Sequence, residues 1–320
     1  MAARARIRVV QTEHLAAAAA AWLGERCELV VCAHDDPRFR EAIAEADGLV
    51  VRTYTIVGGA LLDASPRLRV VGRAGVGLDN IDLAACRARG IAVVHTPDAN
   101  TQAVVEYVVC LLGDALRPRF ALERALSPAE WNRLRAETVG TRQMDELTLG
   151  VLGLGRVGRR VAEVAAAIGM RVLFNDLIDP KPARGSAIRV PVEALFAESD
   201  VLSIHIDGRA SNAKFVNATL IDGMKRDVVF INTSRGFVVD TTALAAWLRA
   251  HPRALAMLDV HDPEPIGPDD VMLGVSNARL YPHLASRTER AMENMSWVVE
   301  DVLAVLEGRA PRFPAPDHAA

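Results

Sequence analysis

Lysine is almost absent from this sequence. Only Lys181, Lys214 and Lys225 stand among 37 basic residues, and the arginines form no basic block. Acidic residues number 40, which leaves a formal net charge of −3 at pH 7. Proteins that bind nucleic acid or an anionic membrane surface usually carry clustered positive charge. The charge balance therefore predicts neither partner.

Cysteine and long apolar runs are also scarce. The four cysteines, Cys27, Cys32, Cys86 and Cys110, include no C-x-x-C pair. We therefore expect small core residues in a reducing compartment, not a disulfide framework. The sequence shows no secretory signal and no apolar run long enough to span a membrane. Together these absences predict a cytoplasmic protein.

Short β-branched runs alternate with alanine-rich segments of helical length. A chain of 320 residues with 51% hydrophobic content can build two cored domains. The alternation is typical of parallel sheets flanked by helices. A first series of strands is predicted at 7–11, 28–33, 48–52, 68–72 and 91–94. A second series is predicted at 148–152, 171–175, 200–205, 227–232, 255–260 and 278–281.

The segments around the second series suggest how the domains are divided. Residues 118–147 are polar and lack core periodicity, so we predict a protruding arm that lies on a second copy of the chain in a homodimer. The amphipathic segment 289–308 is expected to return the chain to the first unit. The proline-rich end, 309–320, is expected to fray.

The predicted fold class is therefore α/β. We expect two Rossmann-like or flavodoxin-like domains, each with a doubly wound parallel sheet, and a cleft between them. A discontinuous substrate-binding domain is predicted at 1–99 and 290–320. A dinucleotide-binding domain that includes the arm is predicted at 100–289.

The stretch "TLGVLGLGRVGRR" carries the strongest local motif. Gly153, Gly155 and Gly158 have G-x-G-x-x-G spacing directly after a predicted strand and at the start of a helix. The first glycine permits a tight turn, the second lets a pyrophosphate approach the backbone, and the third allows the helix to pack on the strand. A glycine-rich turn alone would be weak evidence. The next strand ends in Asp176, however, where a carboxylate can bind the adenosine ribose.

Asp176 also predicts which dinucleotide is bound. A carboxylate at this position repels a 2′-phosphate, and no arginine adjoins it in the sequence. The sequence therefore predicts NAD as the cofactor, in preference to NADP.

Ionisable side chains follow three successive strands of the second series. Arg235 follows the fourth predicted strand, Glu264 the fifth and His283 the sixth. In the usual order 3-2-1-4-5-6, the fourth strand lies beside the first, and ligands bind past the carboxyl ends of the strands there. We therefore expect these three side chains to converge beside the nicotinamide.

The three residue types suit hydride transfer to the α-carbon of a 2-oxo acid. An arginine polarises the carbonyl and grips the carboxylate, and a histidine transfers the hydroxyl proton near neutral pH. A glutamate beside that histidine orients the imidazole and favours its charged form. Taken singly, the three could be a surface ion pair, a solvated loop acid and a core histidine. No His, Cys or Asp cluster shows metal-ligand spacing, and the reaction needs no metal.

Seven stretches resemble the D-isomer-specific 2-hydroxyacid dehydrogenase family, and the phosphoglycerate dehydrogenase branch most. They occur in family order over nearly the whole chain: "GLVVRTYT" (48–55), "VVGRAGVGLDNID" (70–82), "GIAVVHTPDANTQAVVEY" (90–107), "TLGVLGLGRVG" (148–158), "MKRDVVFINTSRG" (224–236), "DVHDPEP" (259–265) and "PHLASRT" (282–288).

The resemblance assigns roles that pattern alone does not. It implies that Arg235, Glu264 and His283 are the catalytic residues, with His283 as proton donor in reduction, and that Asp259 lies near the nicotinamide carboxamide. The implied cofactor-binding residues are Gly153, Gly155, Arg156, Val157, Gly158, Asp176, Thr233, Ser234, Arg235, Asp259, His283 and Ala285. The implied substrate-binding residues, for a small anionic 2-hydroxy or 2-oxo acid, are Arg52, Arg73, Gly75, Val76, Gly77, Asn100 and Arg235.

One loop departs from the family pattern, and two other functions stay open. The loop "HIDGRASNAKF" replaces the usual threonine- and proline-rich turn after the third predicted strand. Because that strand is expected on the adenine side, His205 is not predicted to be the acid. The same scaffold could serve an NAD(H)-sensing corepressor, although an intact Arg, Glu and His trio argues against this. A phosphite dehydrogenase is the second alternative, whereas Glu264 argues against a formate enzyme.

Overall fold

The computed structural model of the chain describes residues 6–117, 119–178 and 185–316. Within them the chain forms two compact units. The first unit holds the described residues up to Thr101, with Gly208–Ala210 and the residues from Ser286 onward. The second unit holds the other described residues between Gln102 and Ala285.

The elements are labelled in chain order. The described strands are β1 (Arg8–Gln11), β2 (Glu28–Val31), β3 (Gly48–Val51), β4 (Val70–Arg73), β5 (Ala92–His95), β6 (Thr148–Leu152), β7 (Arg171–Asn175), β8 (Ile188–Arg189), β9 (Val201–Ile204), β10 (Val229–Asn232), β11 (Leu255–Leu258) and β12 (Ala278–Leu280). The described α-helices are α1 (Ala17–Gly24), α2 (Phe39–Ala44), α3 (Gly59–Asp63), α4 (Leu83–Ala88), α5 (Thr101–Leu116), α6 (Pro128–Glu137), α7 (Arg156–Ala167), α8 (Val192–Glu198), α9 (Ala218–Asp222), α10 (Thr241–Ala250), α11 (Glu289–Ser296) and α12 (Val298–Leu306).

The first unit is built on a parallel sheet in the order β2-β1-β3-β4-β5. Successive residues of its central strands enter two different core clusters: Leu49 packs in one and Val50 in the other. Both faces of the sheet are covered, which is why the central strand β3 is apolar and buried throughout. The helix α12 packs directly on β4, because a Cβ on Gly72 would lie 2.3 Å from Val302 Cγ2. The five predicted strands of this series are confirmed.

The C-terminal tail is ordered as far as the structure describes it, so the prediction that it frays is wrong for residues 311–316. Pro314 bridges Val94 antiparallel, and the Ala315 N–H donates to the Val93 carbonyl at 2.8 Å. The buried Asp301 carboxylate accepts the N–H groups of Arg312 and Phe313 at 2.9 and 3.1 Å. The tail thereby satisfies backbone groups of β5, which lies at the edge of the sheet.

The second unit is built on a parallel sheet in the order β12-β11-β10-β9-β6-β7-β8. Two apolar clusters cover its faces, and Phe174, Phe196 and Phe230 are among its largest fully buried side chains. Two parallel α/β sheets confirm the predicted fold class.

The predicted placement of strands around the switch point is wrong by one strand. The short β8 was missed because its two residues, Ile188 and Arg189, are both exposed and form no apolar run. With β8 at the edge beyond β7, the strand beside β6 is β9, and β10 lies one place further out. The segment after β9, which begins at His205, is therefore on the switch-point side of β6 and not on the adenine side.

The predicted arm is in part helical. The helix α6 begins with a capping box, in which Ser127 Oγ accepts the Glu130 N–H and the Glu130 carboxylate accepts the Ser127 N–H. None of its residues is buried. Residue 118, at the start of the predicted arm, lies outside the described residues.

Two expectations drawn from absences can be compared with the structure. In the ranges described above, no helix is both long and apolar enough to cross a bilayer. Cys27, Cys32 and Cys86 are buried, as predicted, but Cys110 is exposed, so the expectation of four core cysteines is wrong for that residue.

Candidate active site

The glycine-rich turn after β6 has the geometry that a bound pyrophosphate requires. Gly153 has φ +92°, which a side chain would strain, and its added Cβ would lie 2.8 Å from the His205 carbonyl. A Cβ on Gly158 would lie 2.0 Å from the Gly153 carbonyl oxygen, so the first turn of α7 packs directly against the glycine-rich turn. Gly155 instead faces open space. It is the N-cap residue of α7, and it has no side chain that could accept the first N–H groups of the helix. The first N–H groups of α7 can therefore hold an anion.

Asp176 lies at the end of β7 and is tied to the same turn. Its carboxylate accepts the Leu154 N–H at 2.6 Å and the Ile178 N–H at 3.0 Å. Leu177 and Ile178 are exposed, which provides apolar surface beside the carboxylate. The guanidinium of Arg189 in β8 donates to the Asp176 carbonyl at 2.7 Å. An arginine therefore adjoins Asp176 in space although none adjoins it in the sequence.

The turn after β10 is shaped by Asn232, a residue to which the sequence analysis gave no role. Its side-chain oxygen accepts the Ser234 N–H at 3.0 Å, and its Nδ2 donates to the Arg235 carbonyl at 3.0 Å. The Ser234 hydroxyl binds the Ile206 carbonyl, and Arg235 Nη1 donates to the Ser234 carbonyl at 2.7 Å. The small residues thus close a tight turn that holds the guanidinium at the carboxyl end of the strand. Among the described residues, Thr233 Oγ1 is buried and has no hydrogen-bond partner, which suits a site for a polar ligand.

The turns after β10 and β11 touch through Gly236. A Cβ on this glycine would lie 2.0 Å from the His261 carbonyl carbon and 2.6 Å from the Asp262 nitrogen. Because the obstructing atoms are backbone, only glycine lets the two turns approach this closely. The turn that carries Arg235 therefore packs on the turn that carries Glu264.

Glu264 and His283 form a hydrogen-bonded pair. Glu264 Oε2 lies 2.8 Å from His283 Nδ1, and Glu264 Oε1 accepts the His261 N–H at 2.9 Å. Burial opposes ionisation of Glu264, but the bonds from His283 and His261 and their charges prevail and lower the pKa of this carboxyl. An ionised carboxylate can only accept, so Nδ1 carries the proton in this pair and Nε2 faces elsewhere. Both side chains keep about a third of their surface exposed, so a ligand can reach the imidazole.

Asp259 anchors the segment that carries His283. This fully buried carboxylate accepts the N–H groups of Leu284 and Ala285 at 2.7 and 2.9 Å, and its backbone carbonyl accepts the His283 N–H at 2.9 Å. Burial raises the pKa of Asp259, although the two amide bonds oppose this. His283 has φ +54°, a strained conformation that these bonds stabilise. The implied position of Asp259 near the carboxamide remains a prediction.

His205 is held by a neighbouring hydroxyl and does not fit the part of proton donor. Its Nε2 lies 2.8 Å from Ser203 Oγ. Burial lowers the pKa of His205 to about 4, so the imidazole is neutral near pH 7. The strand order predicted from the sequence was wrong, but the low pKa of His205 also excludes this residue as the proton donor.

The loop after β4, in the first unit, contains the predicted carboxylate-binding residues. Gly75 has φ +154°, and a Cβ there would lie 1.2 Å from Arg73 Nη1, so the Arg73 side chain folds back over a glycine. His95 Nδ1, at the end of β5, lies 2.9 Å from the Val76 carbonyl oxygen, and this hydrogen bond holds the loop in place. Gly77 is half-buried in the same loop.

Side chains bind both the N–H groups and the carbonyl groups of the loop after β3. The Glu13 carboxylate accepts the N–H groups of four consecutive residues, 52–55, at 2.8–3.1 Å. Asn80 Nδ2 donates to the carbonyls of Arg52 and Thr55 at 3.1 and 2.8 Å. Burial opposes the charge of Glu13, but the four amide bonds lower its pKa below the ordinary value. Asn100 is half-buried in the turn before α5.

The predicted site residues fall into two groups, one in each unit. In the second unit the structure brings the turns of Arg235, Glu264 and His283 to one end of the sheet, and it ties Asp176 to the glycine-rich turn. In the first unit it places Arg52 and the Arg73–Gly77 loop after neighbouring strands. Sequence analysis missed the residues that support these groups, Asn232, Glu13 and Asn80. Glu13 lies shortly after β1, Asn80 lies in the loop between β4 and α4, and Asn232 ends β10. Polar residues at such places are too common to single these three out.

Comparisons with known proteins agree with this geometry. A family model described as "D-isomer specific 2-hydroxyacid dehydrogenase, NAD binding domain" matches residues 109–285. The chain is 33% identical over 269 residues to D-3-phosphoglycerate dehydrogenase of Archaeoglobus fulgidus, a match that covers 83% of this chain and 50% of that one. It is 34% identical over 278 residues to glyoxylate reductase of Aeropyrum pernix, with 83% and 82% covered. The chain thus spans about half the length of the first relative and most of the second.

A solved structure extends the likeness to three dimensions. The crystal structure of D-lactate dehydrogenase from Aquifex aeolicus, complexed with NAD and lactic acid, matches with a TM-score of 0.81 at 26% identity and covers 94% of this chain and 96% of that one. The family model covers more than half of the chain, and the glyoxylate reductase is matched over most of its length. This chain therefore belongs to the D-isomer specific 2-hydroxyacid dehydrogenase family and carries the NAD-binding domain of that family.

Proposed function

We propose that this chain is an NAD-dependent oxidoreductase that interconverts a small 2-hydroxy acid and the corresponding 2-oxo acid. The observation that carries the proposal is the 2.8 Å contact between Glu264 and His283, beside the turn of Arg235 at the end of one sheet. An acid–base pair with a neighbouring guanidinium suits a reaction in which a carbonyl becomes an alcohol.

Each residue has a separate task in the proposed reaction. When bound, the nicotinamide would supply the hydride for reduction or accept it for oxidation. Glu264 holds the Nδ1–H of His283, so that Nε2 gives a proton to the carbonyl oxygen during reduction and takes it back during oxidation. Arg235 polarises that carbonyl and orients the substrate carboxylate.

A panel of 2-oxo acids tests this function. We expect NADH oxidation with at least one of glyoxylate, hydroxypyruvate, phosphohydroxypyruvate and longer oxo acids, and we favour the hydroxypyruvate and phosphohydroxypyruvate type. Absence of turnover with the whole panel would support the NAD(H)-sensing alternative. NADH production with phosphite as sole substrate would support the phosphite alternative.

The cofactor preference should depend on the charge of Asp176. Replacing it by asparagine removes the carboxylate that repels a 2′-phosphate, while Arg189 stays beside it. We expect the ratio of kcat/KM with NADPH to that with NADH to rise about tenfold or more, equivalent to about 1.4 kcal/mol. The exposed Asp222→Asn in α9 is the matched control. An unchanged ratio in Asp176→Asn would remove Asp176 from this role.

The charge of Glu264 should set the pH range of reduction. Its pKa is lowered below the ordinary carboxyl value, so the carboxylate that accepts from His283 is ionised at neutral pH, and this charge is lost only as pH falls into the acidic range. Glutamine keeps an acceptor oxygen but cannot ionise. In Glu264→Gln we therefore expect kcat/KM near neutral pH to fall about tenfold or more, and we expect the acid limb of the pH profile that belongs to Glu264 to disappear. Glu198→Gln, a surface acid of the same unit, should leave the limb in place; a fixed limb in Glu264→Gln would contradict the pairing.

A homodimer through the arm is part of the proposal. The segment 119–143 exposes large apolar side chains, among them Phe120, Trp131 and Val139, and α6 buries none of its residues. Such a surface suits contact with a second chain. Size-exclusion chromatography with light scattering should give the mass of two chains, and a monomer would contradict this assembly.

A further inference from the structure

His261, a half-buried residue shortly after β11, contacts all three segments of the second unit that carry the proposed catalytic residues. Two of these contacts come from its backbone. Its N–H donates to Glu264 Oε1 at 2.9 Å. Its carbonyl carbon would lie 2.0 Å from a Cβ on Gly236, so its backbone packs directly on the turn of Arg235. Any residue with a backbone N–H can make these two contacts.

The third contact is specific to the side chain of His261. Its Nε2 lies 2.8 Å from the carbonyl oxygen of Tyr281, two residues before His283. A carbonyl oxygen only accepts, so Nε2 carries a hydrogen and donates it to Tyr281. The bond therefore ties the turn after β11 to the turn that carries His283.

Tyr281 is a fixed point at the start of the His283 turn. Its N–H donates to the Leu258 carbonyl at 2.9 Å, which continues the pairing of β11 with β12. Its ring packs edge-on against the ring of Tyr107, with 6.1 Å between the centroids. Its carbonyl also accepts the His283 N–H at 3.1 Å. The one carbonyl therefore binds both His261 and His283.

His283 needs firm support because its backbone conformation is strained. Its φ of +54° is uncommon for a residue other than glycine, and such a conformation persists only where the surrounding contacts hold it. The imidazole is 39% exposed and is bound at Nδ1 by Glu264. If the turn were held less firmly, the imidazole could leave Glu264 or turn Nε2 away from the substrate.

We propose that His261 is a positioning residue that fixes the turn of His283 through the Tyr281 carbonyl. This inference rests on the proposed function and adds to it a residue that acts through His283. The backbone of His261 holds the Glu264 carboxylate and packs on the turn of Arg235. Its side chain fixes the third segment relative to these two, so that all three side chains can meet one substrate.

Two variants separate the hydrogen bond from the bulk of the side chain. His261→Phe keeps a planar ring but removes the donor to the Tyr281 carbonyl. We expect kcat for oxo-acid reduction to fall about tenfold or more, because a displacement of about 1 Å near the reacting groups can cost about 10²-fold. The KM for NADH should stay close to that of the unaltered protein. His261→Gln, whose terminal N–H can replace that of Nε2, should recover most of kcat.

His251→Phe is the matched control for these variants. His251 is also half-buried, and its Nδ1 also lies 2.8 Å from a backbone carbonyl oxygen, that of Trp247. It follows α10 and precedes β11, so it lies at the end of the strands opposite to the site. We expect this variant to keep the kcat of the unaltered protein. An equal fall of kcat in His251→Phe and His261→Phe would indicate a general loosening of the unit and would overturn the proposal.

A double variant tests whether His261 acts through His283. Without the imidazole of His283 there is no proton donor to position, so His261→Phe should cause no further loss of kcat in the His283→Ala protein. A further loss as large as in the unaltered protein would show that His261 acts independently of His283, and the proposed role would be wrong.

The outcomes also separate this role from the proposed function. If the unaltered protein turns over no 2-oxo acid, the proposed function fails and the role of His261 fails with it. Where turnover is found, equal kcat in His261→Phe and His261→Gln would overturn the role of His261 alone. Should circular dichroism show that His261→Phe is unfolded, His261→Asn replaces it, because its shorter amide does not reach the Tyr281 carbonyl; equal kcat in the Asn and Gln variants would then overturn the role.

Discussion

Replacing His283 by alanine should lower kcat for oxo-acid reduction by about 10²-fold or more, the usual scale of lost acid–base catalysis. The imidazole is the one group in the Glu264–His283 pair that can deliver a proton, since the ionised carboxylate only accepts. Binding of NADH, followed by its fluorescence, should persist, because the glycine-rich turn and Asp176 do not contact this side chain in the described structure. The loss should therefore appear in turnover and not in cofactor binding.

The matched control for this prediction is His34→Ala, an exposed histidine of the first unit. Its turnover should equal that of the unaltered protein. If His283→Ala keeps full turnover while its circular dichroism is unchanged, His283 is not the proton donor and the proposed mechanism is wrong.

Replacing Arg235 by glutamine should lower kcat/KM by about 10²- to 10³-fold, the range found when one donor to a developing oxyanion is removed. Asn232 and Ser234 hold the backbone of this turn, and Arg235 Nη1 is braced on the Ser234 carbonyl. Glutamine keeps part of the side-chain length but loses the charge and the planar fork. Arg235→Lys restores the charge alone, so we expect it to recover only part of the activity.

Steady-state kinetics with Arg253→Gln, an exposed arginine of the same unit, provide the comparison. That variant should behave as the unaltered protein. Equal kcat/KM in Arg235→Gln and Arg253→Gln would show that the guanidinium neither binds nor polarises the substrate.

Local sequence patterns predicted most of the elements correctly. Strands such as β6 and β7 were predicted with their observed bounds, because each is a short apolar run buried on both faces. The glycine spacing at 153–158 and the acid at 176 were also recognised from the sequence. A tight turn and the close approach of a pyrophosphate to the backbone leave few residue types other than glycine possible. Where burial or backbone geometry dictates the residue, the pattern is visible in the chain.

The errors have a common physical origin. The strand β8 carries two exposed residues, so it leaves no apolar pattern, yet it shifted the predicted strand order by one place. The tail at 311–316 is rich in proline, but the edge of β5 and the buried Asp301 hold it in place. These segments are ordered by long-range partners, which local composition does not record.

The sequence by itself determined the α/β class, the dinucleotide motif and the identity of the ionisable residues that follow the strands, because these depend on local periodicity and on residue type. Only the tertiary structure decided that Glu264 bonds His283 and that Glu13 binds the backbone of the loop that carries Arg52. These contacts join residues 19 and 39 positions apart in the chain. Distances of that kind are set by the packing of whole elements, and no local pattern encodes them.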